Sequence, residues 1–275
     1  MSTALSQIPH SPHQNCLLAA LPTDELEQLY PHLELVPMLV GETLGGPDHK
    51  LNHVYFPTTS VVSLLNFTED GKSTKIAIIG NEGVIGMSLF MGWDTMSNIP
   101  VVQSAGYAYR LNENLLKQKF NHVMPMQHQM LRYTQALLTQ IAQTAVCNQH
   151  HSVEQHLCRL LLLYLDRVPS NELTMTQEMI ANMLGVRREG ITEAAGKLQR
   201  KNIIHYSRGH IKVLDRPRLE TEVCECYKVL KKEYDQLLSD LVTMRSILLR
   251  KKSSFGLSIY RENKRKEKLT NSLTI

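Results

Sequence analysis

The chain has 275 residues, 43% hydrophobic and 20% charged, with a formal net charge of +4; that length and apolar content suit about two domains with cores of their own. The longest plainly apolar run, LLLLYL from Leu160 to Leu165, falls far short of the ~18 residues of a membrane helix, and the opening MSTALSQIPHSPHQN lacks the basic start and apolar block of a secretion signal. The five cysteines (Cys16, Cys147, Cys158, Cys224, Cys226) are few, scattered and odd in number, which argues against a disulfide framework and for a cytoplasmic protein with no membrane partner.

A polar lead of about thirty residues contains one short helical stretch, TDELEQLYPHL. Thr23 is its expected N-cap, with Asp24 and Glu25 in the first turn, where acids suit the helix dipole. From Glu34 to Leu111 the texture changes. Eight of the fourteen glycines fall between Gly41 and Gly92, separated by the short apolar runs VYF, VVSLLNF and KIAII, with VVQSAGYAYRL after them. Asp70-Gly71 between two of these runs is a hairpin signal, because Gly tolerates positive φ. Many short strands with Gly-rich turns predict a β-sandwich or jelly roll.

A long helix is predicted next, from about Pro125 to His151. Met126, Met130, Tyr133, Leu137 and Ile141 recur at spacings of four and three, and Leu131, Leu138 and Ala145 form a second row seven apart. A stripe this wide can pack on its own domain and on another helix, and Met130, Tyr133, Leu137 and Ile141 are the expected dimer seam. A second helix runs from about Ser152 to Val168, and VPSNE then makes a loop.

In TQEMIANMLGVRREGITEAAGKL, Thr176 to Leu198, Gly185 ends one helix that Thr176 caps, and a second starts at Arg187 or Arg188. Ile180, Leu184, Val186, Ile191, Ala194 and Leu198 fit a small core around that corner, and Ala181 permits close approach. This is a helix-turn-helix. Arg187, Arg188, Glu189, Thr192 and Glu193 are left pointing outward at the end that would enter a major groove. IIHYSRGHIKVLD reads as a hairpin around Arg208-Gly209, which makes the unit a winged helix. Between Arg187 and Arg216 eight Lys and Arg stand against three acids, a basic surface suited to nucleic acid.

The order β-roll, long helix, winged helix-turn-helix resembles the Crp/Fnr family of bacterial transcription regulators over roughly Leu21 to Leu238. MTQEMIANMLGVRREGITEAAGKLQRKNII and IGNEGVIGMSLF carry the resemblance. It implies an α+β fold with an N-terminal double-stranded β-helix or jelly roll as a sensor-like domain (21–121). A long dimerisation helix (122–151) and a DNA-binding winged helix (152–238) would follow, then a basic tail (239–275). It also implies a homodimer on a near-palindromic operator with half-sites ~34 Å apart, and contact with RNA polymerase if the protein activates. Arg188 and Glu189 match the family's base-reading pair: Arg can bond guanine O6 and N7, and Glu can accept from cytosine N4. Thr192 and Glu193 are the next base-contacting candidates. Glu193 stands where relatives usually carry a basic residue, which puts the usual operator in doubt. Thr176, Arg187, Lys197, Arg208 and His210 are the phosphate-contacting candidates, with Arg208 and His210 at the wing tip.

The sensor pocket departs from the family. Where cyclic-nucleotide-binding relatives need a carboxylate and an Arg, this chain has Met87 and Asn98. The pocket expected from Gly86, Met87, Ser88, Asn98 and Ile99 is therefore degenerate: a cyclic phosphate would be buried without a cation. A small-molecule effector, if there is one, is unknown. Iron–sulfur relatives use several N-terminal cysteines, and this chain has only Cys16 there.

CNQHHSVEQHLC offers pairs four apart (Cys147 and His151, His150 and Glu154, Glu154 and Cys158) that could hold a metal on a helix; the simpler reading is a polar hinge. Cys224-Glu225-Cys226 has the spacing of a redox switch or half a metal site, but with no second pair in view it reads as a helix with two incidental thiols. No metal, cofactor or catalytic constellation is expected. The competing reading is a ligand-binding or scaffolding β-roll protein whose winged helix mediates protein contacts.

Overall fold

The glycine-punctuated stretch folds, in a computed structural model that describes residues 10–122 and 124–239, into two antiparallel sheets around one core. One sheet orders β1 (Glu34–Met38), β6 (Gly106–Asn112) and β2 (His53–Pro57); the other orders β4 (Ser73–Ile79), β3 (Val61–Phe67) and β5 (Ile99–Ser104). The expected Asp70-Gly71 turn joins β3 to β4, with Gly71 at φ +80. Side chains alternate across a strand, and here each face meets a different core. Val62, Leu64, Ala77 and Ile79 point into the roll with Val54, Phe56 and Ala108. Val61 and Ile78 point outward and join the hydrophobic cluster of the C-terminal half. A register shift between Leu64 and Leu65 pairs Leu65 with Lys75, so Lys75 leaves the face of Ala77.

From residue 10 onward, the polar lead is packed more closely than its polarity suggests. Asn15 caps α1 (Cys16–Ala19) by accepting from Leu17 and Leu18 N–H, and its Nδ2 donates to Pro57 O and Gly83 O, both at 2.9 Å. That holds Leu17, Leu18 and Leu21 in the roll's core. The next helix, α2 (Thr23–Leu29), begins at Thr23 itself with Pro22 at the cap position, so Thr23 is not the cap.

Two helices follow β6: α3 (Glu113–His122), which the sequence reading left out, and the 27-residue α4 (Met124–His150). The face of α4 expected to form a dimer seam instead packs into its own chain. Met130, Tyr133 and Leu137 are 1%, 0% and 5% exposed within their own chain, and Ile141 packs beside them. They fill the roll, because Gly83 leaves room for the Tyr133 ring against it. The outward row is the other one: Leu131 and Leu138 are 52% and 56% exposed.

After a break at His151, Ser152 and Gln155 form a reciprocal capping box that starts α5 (Val153–Leu165). Then come β7 (Glu172–Thr174), α6 (Gln177–Leu184), α7 (Arg188–Arg200), β8 (Ile204–Ser207), β9 (His210–Val213), α8 (Arg216–Glu222) and α9 (225–239). The segment read as the loop VPSNE ends in β7, which adds a third strand to the wing in the order β7-β9-β8. The two halves interlock. Arg167 Nε donates to Glu82 Oε1 at 2.8 Å in a pair 4% and 9% exposed. Gln140 of α4 bonds both backbone groups of Ile78 and the Tyr234 hydroxyl. No helix among the described residues is long and apolar enough to cross a membrane. The basic tail expected at 239–275 lies outside the described residues, apart from its first position.

Candidate nucleic-acid interface

Thr176 starts the corner. Its hydroxyl accepts from Met179 N–H at 3.1 Å, capping α6. Gly185 ends α6 at φ +66, and Val186 N–H reaches back to Ala181 O at 3.1 Å, the hydrogen bond of a Schellman stop. The chain then re-enters helix at Arg188. Ile180, Leu184, Ile191, Ala194 and Leu198 are buried in one cluster, with Val186 packed against it at its edge. With those positions inward, Arg187, Arg188 and Glu189 emerge exposed at the start of α7.

The wing stands beside it. Arg208 and Gly209 have φ +49 and +81, the two left-handed residues of a type I′ hairpin turn. Met175 N–H donates to Gly209 O and the Tyr206 hydroxyl donates to Met175 O, both at 2.8 Å. These two bonds fix the wing tip against the start of α6. Between wing and helix runs a groove of about 1020 Å³, lined by Thr176, Gln177, Arg188, Thr192, Gln199, Arg200 and Arg208 among others.

Four of the residues singled out from sequence, Thr176, Arg188, Thr192 and Arg208, thus meet in one concavity. Arg187, Glu189, Glu193, Lys197 and His210 do not line it. Glu193 pairs with Lys197 at 2.9 Å, and Lys197 also approaches Glu154 at 4.0 Å. The Lys197 ammonium holds the Glu193 carboxyl below the usual range. Thr192 donates to Gln177 Oε1 at 2.7 Å, tying α7 to α6. His210 is on β9 beside Thr174 rather than at the wing tip. Gln177, Gln199, Arg200 and His205 line the groove without having been singled out. The helical stripe Arg188, Thr192, Ala195, Gln199 is a signal that would have found Gln199: small residues sit at its centre and polar ones at its ends.

A second cavity, about 560 Å³, lies between the roll and α4. Gly86, Met87, Ser88 and Asn98 line it, as do Trp93, Leu137, Leu138 and Ile141; Ile99 does not. Among the described residues no Lys, Arg, Asp or Glu lines it. Ser88 Oγ and Asn98 Oδ1 are buried there without hydrogen-bond partners.

The hinge cysteines come together. Cys147, His151, Cys224 and Cys226 bring their donor atoms within 4.8 Å of one another. This corrects the incidental-thiol reading of Cys224 and Cys226, whose second half was supplied by a segment 77 residues away. The helix break at His151 separates His150 from Glu154, so that spacing does not act on one helix.

Residues 155–222 match the Crp-like helix-turn-helix domain family. Among curated proteins no sequence match is found. Solved structures share the fold. A regulator of the crp/fnr family from Eubacterium rectale superposes with TM-score 0.60 at 18% identity, over 74% of this chain and 96% of its own. FixK2 from Bradyrhizobium japonicum gives 0.59 at 16%, over 70% and 98%. CLP from Xanthomonas campestris, a c-di-GMP-responsive global regulator, gives 0.56 at 18%, over 69% and 98%.

Proposed function

We infer that this chain, which has the Crp/Fnr regulator fold and carries that family's helix-turn-helix domain, is a transcription regulator that binds a near-palindromic operator as a homodimer. The observation that carries the reading is the groove in which Arg188, at the free end of α7, stands with the wing residue Arg208 and the cap residue Thr176. Arg188 is the primary base reader, with Glu189 beside it; Arg187, Arg208 and Thr176 contact phosphates. Thr192, already bonded to Gln177, positions α7 as much as it reads bases. Glu193 and Lys197 satisfy each other, so a basic reader at position 193 is replaced by an internal pair.

The seam of the homodimer is the exposed row Leu131, Leu138 and Ala145, spaced seven apart as in a coiled-coil contact. Leu138 belongs both to this row and to the cavity lining, so a ligand in the cavity presses on the seam. An apolar lining with two unpartnered polar atoms suits an apolar ligand with a hydrogen-bonding end. It does not suit a cyclic phosphate, which needs a cation, and operator affinity is expected to ignore added cyclic AMP. Where the protein activates, RNA polymerase is a further partner.

Selection of duplexes from a random DNA pool tests the reading. The expected result is an enriched near-palindrome whose affinity falls steeply with salt. Arg188→Ala should then cost about 1–3 kcal/mol at one base pair per half-site and relax specificity there. Arg208→Ala should weaken all sequences alike and flatten the salt slope by about one unit. Absence of any enriched sequence, with or without cell extract present, would count against sequence-specific binding.

A further inference from the structure

Cys147 lies in the last turn of α4, His151 at the break before α5, and Cys224 and Cys226 where α8 gives way to α9. Cys147 Sγ and Cys224 Sγ are 3.6 Å apart, and Cys226 Sγ and His151 Nδ1 are also 3.6 Å apart. A tetrahedral Zn²⁺ with thiolate ligands needs donors about 3.8 Å from one another. The three thiols are 0–2% exposed, and all four donor atoms already lie within 4.8 Å. We propose that Cys147, His151, Cys224 and Cys226 form a structural Zn²⁺ site, with His151 bound through Nδ1.

Two further observations fit a metal and not a chance meeting of thiols. His151 Nε2 lies 3.3 Å from Glu225 Oε1. A ligating histidine characteristically donates its other N–H to a carboxylate, which fixes the ring and its tautomer. Charge also fits. Loading would release the three thiol protons to solvent, leaving three thiolates and Zn²⁺ with a net charge of about −1. Arg159, 5% exposed, lies within electrostatic reach of Cys147 and Cys226, and its Nε has no hydrogen-bond partner.

Buried cysteines packed as small hydrophobes would explain neither the imidazole nitrogen among them nor the carboxylate behind it. A Cys147–Cys224 disulfide would use two of the four donors and leave His151 and Glu225 without a part. Thiolate and imidazole select Zn²⁺ over the oxygen-seeking Mg²⁺ and Ca²⁺. The site joins the end of α4, the hinge and the start of α9, and α9 in turn packs Tyr234 and Leu237 into the roll's core. Zn²⁺ thereby clamps the junction of the two halves. This does not depend on whether the winged helix reads DNA.

The test is anaerobic titration of the full-length, reduced, metal-stripped protein with Co²⁺, followed by Zn²⁺. The expected result is one Co²⁺ per chain, with the intense visible bands of tetrahedral cobalt and thiolate-to-cobalt charge transfer in the near ultraviolet, both bleached by one equivalent of Zn²⁺. The Cys224→Ser/Cys226→Ser double variant should lose these bands, and Cys16→Ser should keep them. Glu225→Gln keeps all four ligands and should bind Zn²⁺ at least about tenfold more weakly in competition with a chromophoric chelator. A wild-type titration without the tetrahedral spectrum overturns the site, and needs no variant to fold. The same spectrum in the double variant also overturns it, as does a Cys147–Cys224 disulfide that, once reduced, yields a protein unable to take metal.

Discussion

Asn15 shows how much one buried polar side chain can organise. It is 0% exposed, yet its carbonyl accepts from Leu17 and Leu18 N–H and its amide donates to Pro57 O and Gly83 O. Four bonds satisfy the whole amide, which is the condition for burying one without loss. Asn15→Ala would remove a helix cap and strand two carbonyls, at a cost of about 2–4 kcal/mol. Asn15→Asp would keep the cap but aim a carboxylate at those carbonyls, and should destabilise at least as much. Urea unfolding of both variants checks this; an Asp variant as stable as the parent would mean that the cap alone matters. Nothing in the lead's sequence marked Asn15, because both carbonyl partners are far along the chain. The exposed place of Arg188 at the start of α7 was legible because it follows from local spacing around Gly185. His151 and Cys147 were half legible, four apart in sequence, but the partner thiols arrive from the far side of the winged helix, and no spacing rule reaches across 77 residues.

Among the elements, α4 and the roll depend on one missing side chain. A Cβ on Gly83 would overlap the ring of Tyr133, itself 0% exposed. Gly83 has no positive φ, so the cost is space alone. Gly71 is the reverse, with φ +80 and nothing within 4 Å of a Cβ. Gly71→Ala should therefore cost about 1–2 kcal/mol from left-handed backbone strain. Gly83→Ala forces a buried ring to move and should cost about 1–3 kcal/mol. The distinguishing measurement is the double variant Gly83→Ala/Tyr133→Phe. Removing the hydroxyl nearest the new methyl should recover part of the Gly83→Ala loss, whereas Gly71→Ala and Tyr133→Phe should simply add. Strict additivity for Gly83 and Tyr133 would show that the methyl is accommodated elsewhere. Element type was readable where the pattern was local: the Asp70-Gly71 hairpin, the Gly185 corner and the Arg208-Gly209 wing all stand. α3 and β7 were missed because each is stabilised by what it packs or pairs with. β7 is a three-residue strand whose ladder is made with β9.

At the scale of the whole molecule, the proposed dimer asks one helix to serve a core and a partner, and a stripe of apolar residues does not say which row does which. Met130, Tyr133 and Leu137 are claimed by the roll, which fixes the rotation of α4 and turns Leu131 and Leu138 outward at 52% and 56% exposure. Two large apolar side chains one heptad apart on a free face suit a two-fold helix contact, in which each row meets its own copy. Placing a charge there sets repulsion and desolvation against that contact while leaving the chain's own core untouched. On the proposed seam, Leu138→Asp should sediment as a monomer at micromolar concentration where the parent sediments as a dimer, with little change in unfolding free energy. Met130→Ala should do the opposite: it opens a cavity in the roll costing about 2–5 kcal/mol, with the dimer retained wherever the protein is folded. DNA binding separates the consequences further. A monomer keeps one complete reading groove, so Leu138→Asp should bind a half-site duplex as the parent does and lose the gain that the full palindrome gives. A Leu138→Asp protein that remains dimeric and keeps that gain would move the seam off this face of α4, and with it the proposed coupling of the cavity beside Leu138 to DNA binding.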